Sequence, residues 1–325
     1  MEQHKIIKWG ILGCGKIAHK FAEDLTTITN AKLHAVGSRD IQKAKNFASK
    51  YDADFYYGSY MQLSNDVEID VVYIATPHVF HYENTLMCLT HKKAVLCEKP
   101  LAMNSFQVKE MIKTAKKNEV FLMEALWTYF LPHYEYVLDL IESKELGVIR
   151  SLKADFGFMT NFDATSRIFN KQLGGGSLLD VGIYPLFAAL SILGYPDKVE
   201  AKATIGKTGV DETCSIGLHY NNGITASLFS AITKKTSTEA TIELENGIIN
   251  INSRFHEPTS ITIYQDGKSK VYEFPVDTNG YSYEATHVNQ MLLQNRTEST
   301  IMTFDKSLEL INLLDTVREK IGLYY

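Results

Sequence analysis

Two places in this chain combine residue types and spacing that could do chemistry: a lysine at the end of a buried strand, and an aspartate–tyrosine pair in an apolar helix. The first is Ala94-Val95-Leu96-Cys97-Glu98-Lys99-Pro100, an apolar run that ends in two charges and a proline. A strand buried on both faces reads as such a run, and proline stops it. Open α/β sheets bind ligands beyond the carboxyl ends of their strands, so Lys99 could meet a substrate beside a cofactor. A solvated charge pair at a strand end is the competing reading. The second place is Asp180-Val181-Gly182-Ile183-Tyr184, where Asp180 and Tyr184 share a helix face. Both are costly to bury in so apolar a helix without partners. The competing reading gives Tyr184 a structural hydrogen bond and pairs Asp180 with a surface cation.

Lys99 needs a sheet, and the first 125 residues read as one. Ile6–Leu12 is apolar and β-rich, and Gly13-Cys14-Gly15-Lys16-Ile17-Ala18 follows it directly. Ile17, Phe21 and Leu25 then recur at helical spacing. Further strands are expected at Lys32–Gly37, Val71–Ala75, Ala94–Cys97 and Val120–Met123. Helices are expected over 41–50, 81–91 and 105–118. This alternation predicts an α/β fold with a doubly wound parallel sheet. In that setting Gly13 permits the tight turn, Gly15 lets a pyrophosphate approach the backbone, and the small Ala18 allows close helix–strand packing. The helix start beyond them offers free N–H groups and positive dipole to phosphates.

The choice of nicotinamide cofactor rests on Gly37-Ser38-Arg39-Asp40 at the end of the second strand. A carboxylate there suits the ribose 2′-OH of NAD, and an arginine suits a 2′-phosphate. Ser38 and Arg39, with Lys43 one turn on, favour NADP over NAD. Asp40 could instead bond the ribose or cap the second helix.

Tyr184 needs a second scaffold. A helix is expected near 132–142 and a strand near 148–159, followed by the glycine-rich Leu173-Gly174-Gly175-Gly176-Ser177. Ser177 is placed to cap the apolar helix that carries Asp180 and Tyr184. From Lys198 to Phe274 the pattern turns to strands, with hairpin signals at Asn222-Gly223, Asn246-Gly247 and Asp266-Gly267. Helices near 283–293 and 306–321 close the chain. The expected domains are 1–123, binding the dinucleotide, and 124–325, an α+β domain with a large, mainly antiparallel open sheet.

Composition excludes several function classes. Of 325 residues, 45% are hydrophobic and 22% charged, as in an ordinary globular protein. The net charge of -5 provides no basic footprint for nucleic acid. No signal-peptide h-region is read at the N-terminus, nor a run approaching the ~18 apolar residues of a membrane span, so a cytoplasmic location is expected. Cys14, Cys88, Cys97 and Cys214 form no CxxC pair, and no metal site is expected. His78-x-x-His81 lacks a clustered third ligand and is read as a strand-end loop beside the cofactor. Tyr264-x-x-x-Lys268 has a short-chain dehydrogenase spacing but spans the Asp266-Gly267 turn, so it is read as coincidence.

The stretches Trp9–Ala18, Thr76-Pro77-x-x-x-His81, Cys97-Glu98-Lys99-Pro100-Leu101 and Gly174–Gly182 together resemble the glucose–fructose oxidoreductase / inositol dehydrogenase family. Glu124-Ala125-Leu126-Trp127, Tyr184 and Tyr283-Glu284-Ala285-x-His287 look most like its dimeric dihydrodiol dehydrogenase and NADP-linked xylose dehydrogenase branch. The likeness spans essentially the whole chain. It implies an oxidoreductase moving a hydride between NADP and a sugar, polyol or dihydrodiol, and a homodimer or higher homo-oligomer formed through the C-terminal sheet.

The resemblance also distributes roles. Lys16 and Ile17 of the glycine loop, Thr76, Pro77 and His81, then Glu98, Lys99 and Trp127, are implied around the cofactor. Arg167 could reach cofactor or substrate. Lys99 is implied at the reacting oxygen with Tyr184 on the substrate's other side. Tyr184 would act as general base and Lys99 would lower its pKa, because a free tyrosine near 10 needs a neighbouring cation. Asp180 would bond a second substrate hydroxyl or position Lys99. The same superfamily also contains NAD-dependent glycosidases and non-catalytic dinucleotide sensors. Ser38-Arg39 argues against the first, and intact Lys99 and Tyr184 argue against the second.

Overall fold

The computed structural model describes residues 5–325. They divide into two compact units, one holding residues up to 130 with 276–308, the other 131–275 with 309–325.

In the first unit, strands and helices alternate as β1 (Ile7–Leu12), α1 (Lys16–Leu25), β2 (Ala31–Gly37), α2 (Ile41–Tyr51), β3 (Phe55–Tyr57) and α3 (Tyr60–Ser64). They continue as β4 (Val71–Ile74), α4 (His81–Thr90), β5 (Ala94–Glu98), α5 (Ser105–Asn118) and β6 (Leu122–Ala125). The strands form a parallel six-stranded sheet in the order β3-β2-β1-β4-β5-β6. Winding reverses between β1 and β4, the switch point where such sheets take ligands. The apolar runs are central strands: β4 is buried throughout, and β5 is buried until Glu98. Asp40 caps α2 by accepting from the Gln42 and Lys43 N–H groups, and Asn104 caps α5. The sequence reading missed β3 and α3. A three-residue edge strand with exposed Phe55 and Tyr56 has no periodicity to read.

The second unit begins with α6 (Pro132–Ser143) and β7 (Ile149–Gly157), and reaches α7 (Ile183–Leu193) through a π-helical turn at Leu178–Gly182. Then come β8 (Lys198–Ile205), β9 (Asp211–His219), β10 (Thr225–Ala231), β11 (Ala240–Leu244), β12 (Gly247–Ile251), β13 (Ile261–Gln265) and β14 (Lys268–Tyr272). The eight-stranded sheet runs β14-β13-β12-β11-β7-β10-β9-β8, antiparallel except where β7 pairs with β10. Each Asx-Gly signal marks a hairpin. At the third, Asp266 and Gly267 have φ of 51° and 70°, as a type I′ turn requires. Tyr264 and Lys268 therefore lie on paired strands and share no helix face. The segment Lys171–Leu193 has the length and hydropathy of a membrane span, but it breaks into separate turns and α7, and its apolar window is 78% buried.

The chain then returns to the first unit through α8 (Tyr281–Leu293), before α9 (Phe304–Ile321) ends the fold. The buried Asp24 carboxylate binds the chain where it returns. It accepts hydrogen bonds from the Asn279 backbone and side chain and from the Tyr281 and Ser282 N–H groups, at 2.7–3.1 Å. Because Gly280 offers no side-chain cap, Asp24 supplies it from a distant part of the chain. The Trp9 indole, fully buried in β1, donates to Asn289 on α8 at 3.0 Å. The division thus differs from contiguous domains of 1–123 and 124–325. The sheet runs on through β6 to Ala125, and 276–308 packs with the first unit.

Candidate active site

The glycine loop has the geometry its spacing predicts. Gly13 has φ of +101°, and a Cβ there would stand 3.0 Å from the Ala75 carbonyl oxygen. Gly15 precedes α1, and a Cβ there would meet nothing within 4 Å, so the space above it is open to a phosphate. The α1 N-terminus has no side-chain cap, so its first N–H groups are available to an anion. Lys16 is exposed, Ile17 half-buried and Ala18 fully buried.

Beside the loop, the buried Ser38 hydroxyl accepts from the Asp40 N–H and also meets the Cys14 thiol. Burial pushes that thiol up to about 11, opposed by Ser38 and by the charge of Lys43. Lys43 therefore acts electrostatically on the glycine loop. The Arg39 guanidinium lies 5.5 Å over the Phe80 ring and also acts on the Tyr60 hydroxyl, which burial raises. Asp40 spends its carboxylate on the α2 cap, which realises the capping reading. These residues fit a dinucleotide: an open phosphate seat, a helix start and a supported arginine at the second strand's end.

Lys99 follows β5, and its peptide bond to Pro100 is cis. Its charge acts on two carboxyls. Burial raises Glu98, opposed by Lys99 and by a hydrogen bond donated from the Tyr73 hydroxyl. Burial likewise pushes Glu124, at the end of neighbouring β6, up to about 7; its Oε1 accepts from the Leu101 N–H at 2.8 Å. A third carboxyl, Glu284 on α8, is fully buried with neither oxygen hydrogen-bonded, and burial together with Glu98 raises it far above the carboxylate range. Sequence reasoning missed Glu124 and Glu284 as parts of this cluster. Strand register could have flagged Glu124, since Cys97 pairs with it, but nothing local could have placed Glu284.

Thr76 and Pro77 follow β4, and Thr76 accepts from Asn84 at 3.1 Å. His81 is held by the backbone on both sides. It is fully buried, and its two ring nitrogens lie 2.8 Å from the Thr76 and Pro100 carbonyl oxygens. It therefore ties the turn after β4 to the turn after Lys99. Trp127 is also almost wholly covered, stacked on Tyr281 with centroids 4.2 Å apart and 5° between the planes.

In the second unit, Tyr184 stands in the first turn of α7, 7% exposed, and Asp180 lies in the preceding π-helical turn. Such turns are rare and occur often at functional sites. The Arg167 guanidinium donates to Asp180 at 2.7 Å, so the aspartate has the cation partner of its simpler reading. Arg167 thereby orients Asp180. Ser177 is not the expected helix cap. Its hydroxyl donates to Asp211 at 2.7 Å, and the same carboxylate oxygen accepts the Leu178 N–H, so Asp211 takes the capping role. Burial pushes Asp211 up to about 7. Rings beside Tyr184 include those of Phe156 and His256, with centroids 5.7 and 4.7 Å away. His256 was not foreseen, because it lies in a loop with no motif around it.

Residues 7–126 match the oxidoreductase family with an NAD-binding Rossmann fold, and residues 134–250 match the GFO/IDH/MocA C-terminal domain. The trans-1,2-dihydrobenzene-1,2-diol dehydrogenase of Xenopus tropicalis is 40% identical over 330 residues, covering 98% of this chain and 99% of that protein. The human enzyme of the same name is 34% identical, covering 98% of each. A 3-ketoreductase from Actinomadura kijaniata, solved with NADP and TDP-benzene, matches with a TM-score of 0.89 at 25% identity over 98% of both chains. The aldose–aldose oxidoreductase of Caulobacter crescentus shares the fold with a TM-score of 0.90 at 24% identity over 98% of both chains. With relatives aligned end to end and the glycine loop built for a dinucleotide, the chain belongs to the GFO/IDH/MocA family of oxidoreductases.

Proposed function

We propose that the protein is an NADP-dependent oxidoreductase acting on a secondary alcohol or carbonyl of a sugar, polyol or dihydrodiol. The observation that carries this reading is Lys99, held at the carboxyl end of the parallel sheet with its charge on Glu98 and Glu124. When bound, the nicotinamide supplies the hydride acceptor or donor. The N–H groups at the start of α1 and the open space over Gly15 would hold its phosphates, and Arg39 with Lys43 would hold a 2′-phosphate. Lys99 would bind and polarise the substrate oxygen. Tyr184 would take the hydroxyl proton at its phenolic oxygen during oxidation and return it during reduction. Asp180, oriented by Arg167, would bond a second substrate hydroxyl. Relatives named for a dihydrodiol, and a neighbour solved with NADP, support the substrate class and the cofactor.

A thermal-shift screen of sugars, polyols and cyclic diols with NADP present identifies the substrate, since a ligand bound to the native state raises stability. On that substrate, Tyr184→Phe and Lys99→Met should each lower kcat on the order of 100-fold or more while NADP binding persists. Near-normal turnover in both variants would remove the roles assigned to them.

A further inference from the structure

Next to Tyr184, the second unit holds a chain of polar side chains that the roles above do not use. His256, 3% exposed, lies in the loop between β12 and β13. Its ring stacks on Phe156 with centroids 4.1 Å apart, and its centroid is 4.7 Å from that of Tyr184. Its Nε2 lies 3.5 Å from the Glu257 carboxylate. Arg254 grips that carboxylate from the solvent side, donating from Nε at 2.6 Å and from its Nη2 to the other oxygen. Burial alone would raise Glu257, yet His256 and Arg254 bring it down to about 2, so it stays an anion facing the imidazole. From α6, the group acting on His256 is His133, which burial pushes down to about 4 and which is therefore uncharged near neutrality. The charged and titratable groups around His256 include Glu257, Arg254, His133 and Tyr184, and the rings of Phe156 on β7 and of Phe255 also lie against it.

An imidazole beside a fixed anion can carry a charge, and a cation close to a phenol favours the phenolate. We propose that His256, anchored by Glu257 and Arg254, is a positioning residue for Tyr184 whose imidazolium form stabilises the Tyr184 phenolate. The inference rests on the reading of Tyr184 as the proton-transfer group. It places a cation for that group within the tyrosine's own unit, in addition to Lys99.

The test compares wild type with His256→Phe, which keeps the ring stack and deletes the charge, and with His256→Gln as a second variant should the first not fold. In the protein without ligands, ultraviolet difference titration against Tyr184→Phe isolates the Tyr184 phenolate. Its midpoint should rise by about one pH unit in either His256 variant. The ionisation governing kcat/KM for alcohol oxidation should rise equally, with turnover at neutral pH down about 10-fold and the KM for NADP unchanged. Titration curves and pH profiles that overlay the wild type would overturn the proposal. If Tyr184→Phe keeps full turnover, the reading of Tyr184 itself fails. If Tyr184→Phe loses turnover and the His256 profiles do not move, only the role of His256 fails.

Discussion

On the proposed reading, Arg39 would carry the preference for NADP, because the carboxylate that would oppose it is occupied. Asp40, the carboxylate that could hold the ribose of NAD, accepts the Gln42 and Lys43 N–H groups at 3.0 and 3.2 Å as the α2 cap. Arg39, braced by Phe80 and Tyr60, presents its guanidinium at the same strand end. A charge-assisted hydrogen bond is worth about 1.5–3 kcal/mol. Arg39→Ala should therefore weaken NADP binding roughly 10- to 100-fold and change NAD binding by less than about threefold. Titration calorimetry with both nucleotides checks this, and equal losses for the two would refute the assignment. At this scale the motif residues were legible because backbone turns and phosphates demand particular side chains locally. His81 was legible as a motif residue, but its task was not, since its partners Thr76 and Pro100 lie in separate turns.

Among elements, the fate of α8 turns on one carboxylate. Asp24 gathers the N–H groups of Tyr281 and Ser282 and both donors of Asn279, while Trp9 binds Asn289 further along the same helix. Asp24→Ala would leave the buried Tyr281 N–H and the partly buried donors of Asn279 and Ser282 without that acceptor, at a cost of about 2–4 kcal/mol. We expect a lower urea midpoint and hydrogen exchange at 278–285 that rises before the rest of the first unit. Unchanged protection there would show that α8 is held by its apolar contacts alone. The helices and hairpins themselves were readable from periodicity and Asx-Gly turns, which are local signals. The π-helical turn at Leu178–Gly182 was not, because an ordinary helical pattern also fits its residues.

The whole molecule stores buried carboxyls whose protonation is linked to folding. Glu124 is raised to about 7, so the native state binds its proton more tightly than the unfolded chain does. Its contribution to stability is fully present below the unfolded value near 4.3 and is lost as pH rises through about 7. The loss amounts to about 4 kcal/mol at most. Asp211, also raised to about 7, acts in the same direction in the second unit. Urea unfolding between about pH 5 and 8 should therefore show stability falling with pH. Glu124→Gln, which keeps an acceptor for the Leu101 N–H, should flatten that slope. An identical slope in the variant would mean that Glu124 titrates normally.

The sequence by itself determined the alternating first sheet, the glycine loop, the placement of Lys99 at a strand end and the apolar helix bearing Tyr184. Each of these follows from short-range rules: strand burial, turn chemistry and helical period. Only the tertiary structure decided that residues 276–308 belong with the first sheet and that Asp211 takes the cap expected of Ser177. It also decided that Arg167 holds Asp180 and that His256 faces Tyr184. Those outcomes join residues far apart in the chain, where burial forces each polar group to find whichever partner the fold brings near, and no local pattern records which partner that will be.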